Sequence, residues 1–205
     1  VPEDWPRLWS VDFGFVNPFV WQDWTVTPDD QLVLVREIYR SQTLVEDHAR
    51  DIRKLLGLGP IDPLKGGALP YEGPEVTGWD ARRPTAILCD HDAEDRATLE
   101  RHLGWPTRPA SKNVSDGLQA TQARFRPDAR GRARMMFMRD AVVARDPLLV
   151  DAKKPTSTIE EIPGYVWNDK GKEEPLKQDD HGCDTTRYLV MERDVQPRPR
   201  VRFLR

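Results

Sequence analysis

Three aspartates and one histidine have the types and positions to do chemistry together. Asp12 closes the apolar run Trp9-Ser10-Val11 and precedes Phe13-Gly14, so a short strand would deliver a carboxylate to its end just before a turn. Aspartate is depleted in strands; a charge in such a place belongs at the rim of a sheet. A second apolar run, Pro84 to Cys89, ends the same way in Asp90. Asp184 lies three residues after His181 in the segment Asp179-Asp180-His181-Gly182-Cys183-Asp184, and on a helix that spacing puts both side chains on one face.

Adjacent carboxylates repel, and one of them must take a proton unless a cation intervenes. Hard divalent ions such as Mg2+ favour carboxylate oxygens and keep several waters. Two such ions about 3.5–4 Å apart can activate a water and stabilise the leaving oxygen of a phosphodiester. That chemistry would use three aspartates and no nucleophilic serine or cysteine. His181 could bind a metal or orient a water when neutral, and assist the leaving group when protonated. Asp179 and Asp180 fall at the helix start, where acids interact favourably with the dipole, so capping is the better reading of them.

Elements that could hold these residues follow from patterning. Residues 1–7, with Pro2 and Pro6, read as an arm. Strands are predicted to end near Asp12 and to cover 19–26 and 31–39, joined by turn clusters into an antiparallel meander. Thr43 with Glu46 forms a capping box for a helix that stops at Gly57. Residues 57–83 are rich in Gly and Pro and read as a loop or small insertion. A strand over 84–90, covered on both faces, precedes a helix over 93–103 that Gly104 terminates. An extended piece over 105–110, a helix over 114–125 and a strand over 134–138 follow. Residues 145–160 read as irregular, 164–167 as a short edge strand, and Asp179 or Asp180 as the start of a last helix through Met191. A meander followed by alternating helices and strands is the element order of an α/β, RNase H-like fold: a mixed β-sheet flanked by helices, here one domain over 1–205.

Composition narrows the class. No apolar run is long enough to span a membrane and the start is no signal peptide. Cys89 and Cys183 make neither a disulfide framework nor a zinc spacing, which suits a reduced, cytoplasmic setting. The net charge of −3 does not advertise a nucleic-acid binder, yet local patches exist. Arg124, Arg126, Arg130, Arg132 and Arg134 lie in one stretch with a single acid, Asp128, and the segment 194–205 is a basic tail. Such segments fit phosphate contact, or equally a solvated arginine-rich loop. Lys112 is a further candidate for a phosphate. Trp21, Trp24 and Trp167 could stack bases, although core packing is the commoner use. His48, His91 and His102 read as surface or helix residues, and Cys89 as a small core residue.

In order along the chain, Val11-Asp12-Phe13-Gly14 with Asn17-Pro18, the strand ending in Asp90, Lys112-Asn113-Val114 with Gly117-Leu118, Tyr165-Val166-Trp167, and Asp180-His181-Gly182-Cys183-Asp184 with Arg187-Tyr188 resemble a known family. It is the C-terminal nuclease domain of the large terminase subunit of tailed bacteriophages. The last block is similar to that family's Asp-His-x-x-Asp-Ala-x-Arg-Tyr signature, with Thr185 in the alanine place. The resemblance implies an RNase H-like endonuclease that cuts concatemeric viral DNA in genome packaging, in the host cytoplasm. It implies Mg2+ or Mn2+, as two ions, held by Asp12, Asp90 and Asp184, with His181 beside them. Asp90-His91-Asp92 departs from the family pattern, so Asp92 could share or replace Asp90, and Asp180 is another possible ligand. Implied partners are double-stranded DNA and, for the full-length protein, the packaging ATPase domain, the small terminase subunit and the portal.

No Gly-x-x-x-x-Gly-Lys-Ser/Thr loop is present. The chain therefore reads as a domain without its ATPase, with Val1 near the interdomain linker and no ATP hydrolysis of its own. Asp12-Phe13-Gly14 also matches a kinase triplet, but no kinase Gly-rich loop or catalytic segment accompanies it. An actin-like nucleotide-binding half would need a second copy of the fold. A catalytically silent DNA-binding module of the same fold is the remaining rival.

Overall fold

Short turns join the first three strands, which are buried along most of their length, into a meander. β1 (Arg7–Asp12) pairs antiparallel with β2 (Phe19–Val26), and β2 with β3 (Leu32–Arg40). The computed structural model describes residues 1–111, 113–166 and 175–195. β4 (Ile61–Asp62) and β5 (Gly67–Ala68) form a separate small hairpin inside the Gly/Pro-rich segment. β6 (Ala86–Cys89) joins β1 in parallel, β7 (Arg108–Pro109) joins β6 in parallel, and β8 (Met135–Phe137) lies parallel to β3. The six-stranded order is β7-β6-β1-β2-β3-β8. With α1 (Val45–Leu55), α2 (Ala93–Leu103), α3 (Val114–Phe125), α4 (Pro147–Asp151), α5 (Thr158–Glu161) and α6 (His181–Val190) around it, the architecture is the expected RNase H-like mixed sheet flanked by helices.

Successive strand side chains point to opposite faces. Trp9, Val11, Trp21, Ile87 and Cys89 take one face and pack against Ala49 and Ile52 of α1 and Leu99 and Leu103 of α2. Trp24, Leu34 and Leu88 take the other, beneath Leu189 and Val190 of α6. Burying each such aliphatic side chain is worth about 1.5–3 kcal/mol, so the two layers fix which face every strand presents. The same alternation puts Asp12 opposite Val11, and Asp90 in phase with Leu88, so both acids belong to the α6 face.

Several local expectations change. Arg7 is the first residue of β1 rather than part of an arm, and only 2% of it is exposed. Its guanidinium clasps Asp23 on β2 at 2.8 and 2.5 Å and the carbonyls of Trp79, Asp80 and Arg82, while Trp9 Nε1 donates to the same carboxylate at 2.8 Å. The capping box does not form: the Thr43 hydroxyl donates back to Ser41 O, and Leu44 occupies the N-cap of α1 without a side-chain bond. The stretch from 145 is not irregular but holds α4 and α5, the first capped by Asp146 with Pro147 in its first turn. The edge strand at 164–167 is absent from its described part: Gly164 ends a 3-10 turn, Tyr165 and Val166 are outside any strand, and Trp167 lies outside the described residues. α6 continues past Met191 as a π-helical turn, Met191–Val195, so the basic tail begins later than 194; residues 196–205 lie outside the described residues. Trp21 and Trp24 are wholly buried, so neither can stack a base.

His48 lies on α1 but is fully buried, stacked on Phe19 with ring centroids 3.9 Å apart and neither ring nitrogen hydrogen-bonded. Burial, and then Arg40, push its pKa down to about 4. In an unfolded chain the ring titrates near 6.5, so protonation favours the unfolded state below that pH. The contribution of neutral His48 should be complete above about pH 6.5 and fall as the pH drops toward 4, with about 2 kcal/mol lost by pH 5. Urea unfolding of wild type and His48→Phe at both ends of that window measures it: the stability difference between them should shift toward the variant at the acid end.

Candidate active site

Parallel pairing carries β1 and β6 out of the sheet on the same side. The Asp90 N–H donates to Val11 O at 3.0 Å, extending that pairing by one residue and setting Asp90 beside Asp12. Behind Asp12 the chain turns through Gly14, where a Cβ would come within 2.5 Å of the carbonyl oxygens of Asn17 and Pro18. The turn is closed on itself by main chain and is no phosphate cradle. Across from the two strand ends stands the N-terminus of α6. Between them lies a polar cleft of about 610 Å³ lined by Asp12, Asp90, Asp180, His181, Asp184 and Tyr188, with Lys154 and Lys177 at its wall.

Each acid in the cleft has a different environment. Asp12, 8% exposed, lies 3.0 Å from His181 Nδ1 through Oδ2 and accepts from the Tyr188 hydroxyl at 3.3 Å through Oδ1. Burial raises its pKa against the opposing pull of His181, and the charges of Asp184 and Asp90 push it further up. Burial disfavours charge on His181 as well, but the hydrogen bond and charge of Asp12 outweigh it and raise the imidazole pKa. Asp184 is surrounded by donors: Lys177 Nζ at 2.9 Å, Arg187 Nη2 at 3.1 Å and the Tyr165 hydroxyl at 3.2 Å. Burial acts against its charge, yet Arg187 and Lys177 hold its carboxyl below the usual range. Asp90 is the most open, with the His91 ring at 3.7 Å.

In kind, this donor set fits a hard cation: three carboxylates face one cleft, and two of them raise the third by repulsion. As arranged, Lys177 and Arg187 supply the neutralising charge at Asp184. Among the described residues no three His, Cys, Asp or Glu side chains are grouped so as to hold a metal ion.

Apart from Asp180, which lines the cleft, the remaining described candidates fall elsewhere. Asp92 is not in the cleft; it is the N-cap of α2, accepting from Glu94 N and Asp95 N, both at 3.0 Å. Asp180 reverses the expectation for it: it occupies the N-cap of α6 but makes no capping bond, and its carboxylate faces Lys177 at 3.1 Å. Asp179 adopts a left-handed backbone conformation, φ 48°, just before it. Arg124 is corrected from a phosphate contact to a buried structural residue. It is wholly buried, bidentate to Asp194 at 2.6 Å, and donates to Asp30 O at 3.0 Å. Arg134 pairs with Asp30 at 2.6 Å and Arg132 with Asp128 at 3.4 Å; Arg126 and Arg130 are exposed. This arginine cluster surrounds the β2–β3 turn, whereas Asp12 pairs with Val20 at the other end of β2, roughly 20 Å away along the strand. Lys112 lies outside the described residues. Lys154 and Lys177 were missed by sequence reasoning, because an isolated lysine in a loop carries no local signal of what it faces.

No protein-family profile matches the sequence, and no curated protein matches it. The fold, however, is similar to solved structures. The large terminase from a thermophilic bacteriophage superposes with a TM-score of 0.62 at 20% identity, covering 94% of this chain and 40% of that one. The P22 large terminase nuclease domain superposes with a TM-score of 0.60 at 13% identity, covering 94% of this chain and 84% of that one. The chain thus spans well under half of the thermophilic phage's protein and most of the P22 domain. Among the described residues no helix is long and apolar enough to cross a membrane.

Because Asp92 caps a helix, Asp92→Ala should lower global stability by about 1 kcal/mol. The urea midpoint measures this, and an unchanged midpoint would remove the cap as the reason for an acid there.

Proposed function

We propose that the chain is the nuclease part of a phage DNA-packaging terminase, a divalent-metal-dependent endonuclease acting on double-stranded viral DNA. The observation that carries this reading is the convergence of Asp12, Asp90, Asp184 and His181 on one polar cleft at the emerging ends of two parallel strands. The likeness of the fold to large terminases supports it.

In this reading Asp12, Asp90 and Asp184 would hold Mg2+ or Mn2+, which when bound supplies an activated water and charge stabilisation at the leaving oxygen. The chain's own groups do the rest. Asp12 orients the His181 imidazole and keeps a proton available at its ring, within reach of the cleft. Lys154 and Lys177 face the same space and can hold a phosphate backbone against acids that would otherwise repel it. Asp90, the least encumbered acid, can turn toward an ion without breaking a buried contact. Asp184 must give up Lys177 or Arg187 to do so. That last feature is also what favours the rival reading, a silent DNA-binding module in which the lysine stands permanently in place of the metal. Partners beyond DNA, namely the packaging ATPase, the small subunit and the portal, follow from the same reading.

Supercoiled plasmid incubated with the protein and Mn2+, Mg2+ or EDTA decides between them. Nicking should require the metal and fall at least about 100-fold in Asp12→Asn, since even outer-shell partners of metal sites affect activity 10–100-fold. Undiminished cleavage by that variant would sink the assigned site. Salt-sensitive DNA binding without any cleavage would favour the silent module.

A further inference from the structure

α6 carries two of the proposed site residues at its first turn, and its end is not held by its own sequence. The first N–H groups of a helix have no partner within the helix, and the N-cap side chain usually takes one of them. Here Asp180 leaves them alone and faces the cleft. The two N–H groups go instead to a carboxylate from another element: Gly182 N donates to Glu161 Oε1 at 3.0 Å and Cys183 N to Glu161 Oε2 at 2.8 Å. Glu161 is 1% exposed, and a third donor, the Tyr39 hydroxyl on β3, reaches its Oε1 at 2.6 Å.

The approach that makes this possible is tight. A Cβ on Gly182 would fall 2.1 Å from Thr158 Oγ1, so only glycine lets α5 lie against the start of α6. Thr158 is held from the sheet: its N–H donates to the Glu37 carboxylate at 3.2 Å, its hydroxyl bonds the same group, and Gln22 Nε2 donates to Thr158 Oγ1 at 2.7 Å. The same Gln22 nitrogen donates to Gly182 O at 3.0 Å. A continuous buried series thus runs from the central strands β2 and β3 through α5 to Gly182 and Cys183, the residues between His181 and Asp184.

We propose that Glu161 is a positioning residue of the nuclease site: by capping α6 from outside, it fixes the direction in which His181 and Asp184 enter the cleft and frees Asp180 to add a further acid there. The inference rests on the endonuclease reading above. A carboxylate suits the place for a second reason, because it lies at the positive end of the helix dipole. Glu161 itself touches no cleft surface, so its effect passes through α6.

The test uses the full chain and two readouts, amide hydrogen exchange without metal and Mn2+ titration by calorimetry. In Glu161→Gln one oxygen becomes an NH2 group facing an N–H. Exchange protection at Gly182 and Cys183 should fall about tenfold or more while that of α2 holds. Mn2+ affinity should fall about tenfold with it, and plasmid nicking should lose kcat with KM for DNA within about twofold. Asp180→Ala, by contrast, should leave protection at Gly182 and Cys183 unchanged. Should Glu161→Gln fail to fold, Tyr39→Phe removes one donor only and should move protection and Mn2+ affinity the same way by a few-fold. Loss of protection in either variant with Mn2+ affinity intact would reduce Glu161 to a structural cap and overturn the proposal. A wild-type protein that binds no Mn2+ would overturn the endonuclease reading, and the positioning role with it.

Discussion

The parallel contact between β1 and β6 is the constraint on which the rest depends. Leu8 to Val11 lie in register with Ala86 to Cys89, and the Asp90 N–H adds one more bond to Val11. Parallel strands emerge on the same side, so two acids from distant parts of the chain become neighbours without either leaving its strand. Had the two strands run antiparallel, Asp90 would have met the Arg7 end of β1. The apolar residues on both sides of the sheet enforce this register, because a one-residue slip would turn Trp9 and Val11 away from their core and Asp12 into it. Position of the acids is therefore a by-product of burying tryptophan and valine.

Charge in the cleft is balanced in two different ways. Asp12 shares its space with a histidine, whose imidazole pKa it holds above the ordinary value, whereas Asp184 has Lys177 and Arg187. A cation entering near Asp12 would relieve existing repulsion; one entering near Asp184 must displace a partner already in place. The two sides of the cleft are thus unequal before anything binds.

Much of this was legible in the residues, and the failures have specific causes. Strands that end in a charge were readable because apolar runs bound them, as at Val11-Asp12 and Cys89-Asp90. His181 and Asp184 were readable through helical spacing. What could not be read was partnership over distance. Arg124 reads as a basic-patch residue, and nothing near it announces that Asp194 and Asp30 will enclose it. Thr43 and Glu46 have capping-box spacing, but the hydroxyl found the nearer carbonyl of Ser41. Asp180 reads as a helix cap because the pattern has no means of showing that Glu161, from α5, has already taken that work. Asp92, offered as an alternative ligand, is the reverse case: a local rule governs it, and it caps α2.

The segment between α1 and β6 is fastened near its two ends and, through the Tyr71 hydroxyl donating to Lys54 O at 3.4 Å, between them. Arg53 holds the carbonyl of Gly59 at 2.6 Å, and Arg7 holds those of Trp79, Asp80 and Arg82. Between these anchors the β4–β5 hairpin projects into solvent, with Leu64 92% exposed and open space around Gly66 and Gly67. Arg7 begins the strand that Asp12 ends, so the second anchor lies at the end of β1 remote from the acids. Segments tethered this way tolerate changes of length. The hairpin is accordingly a natural splice point, where an epitope, a fluorophore or a whole guest domain could be grafted to watch the molecule at work while the cleft stays as it is.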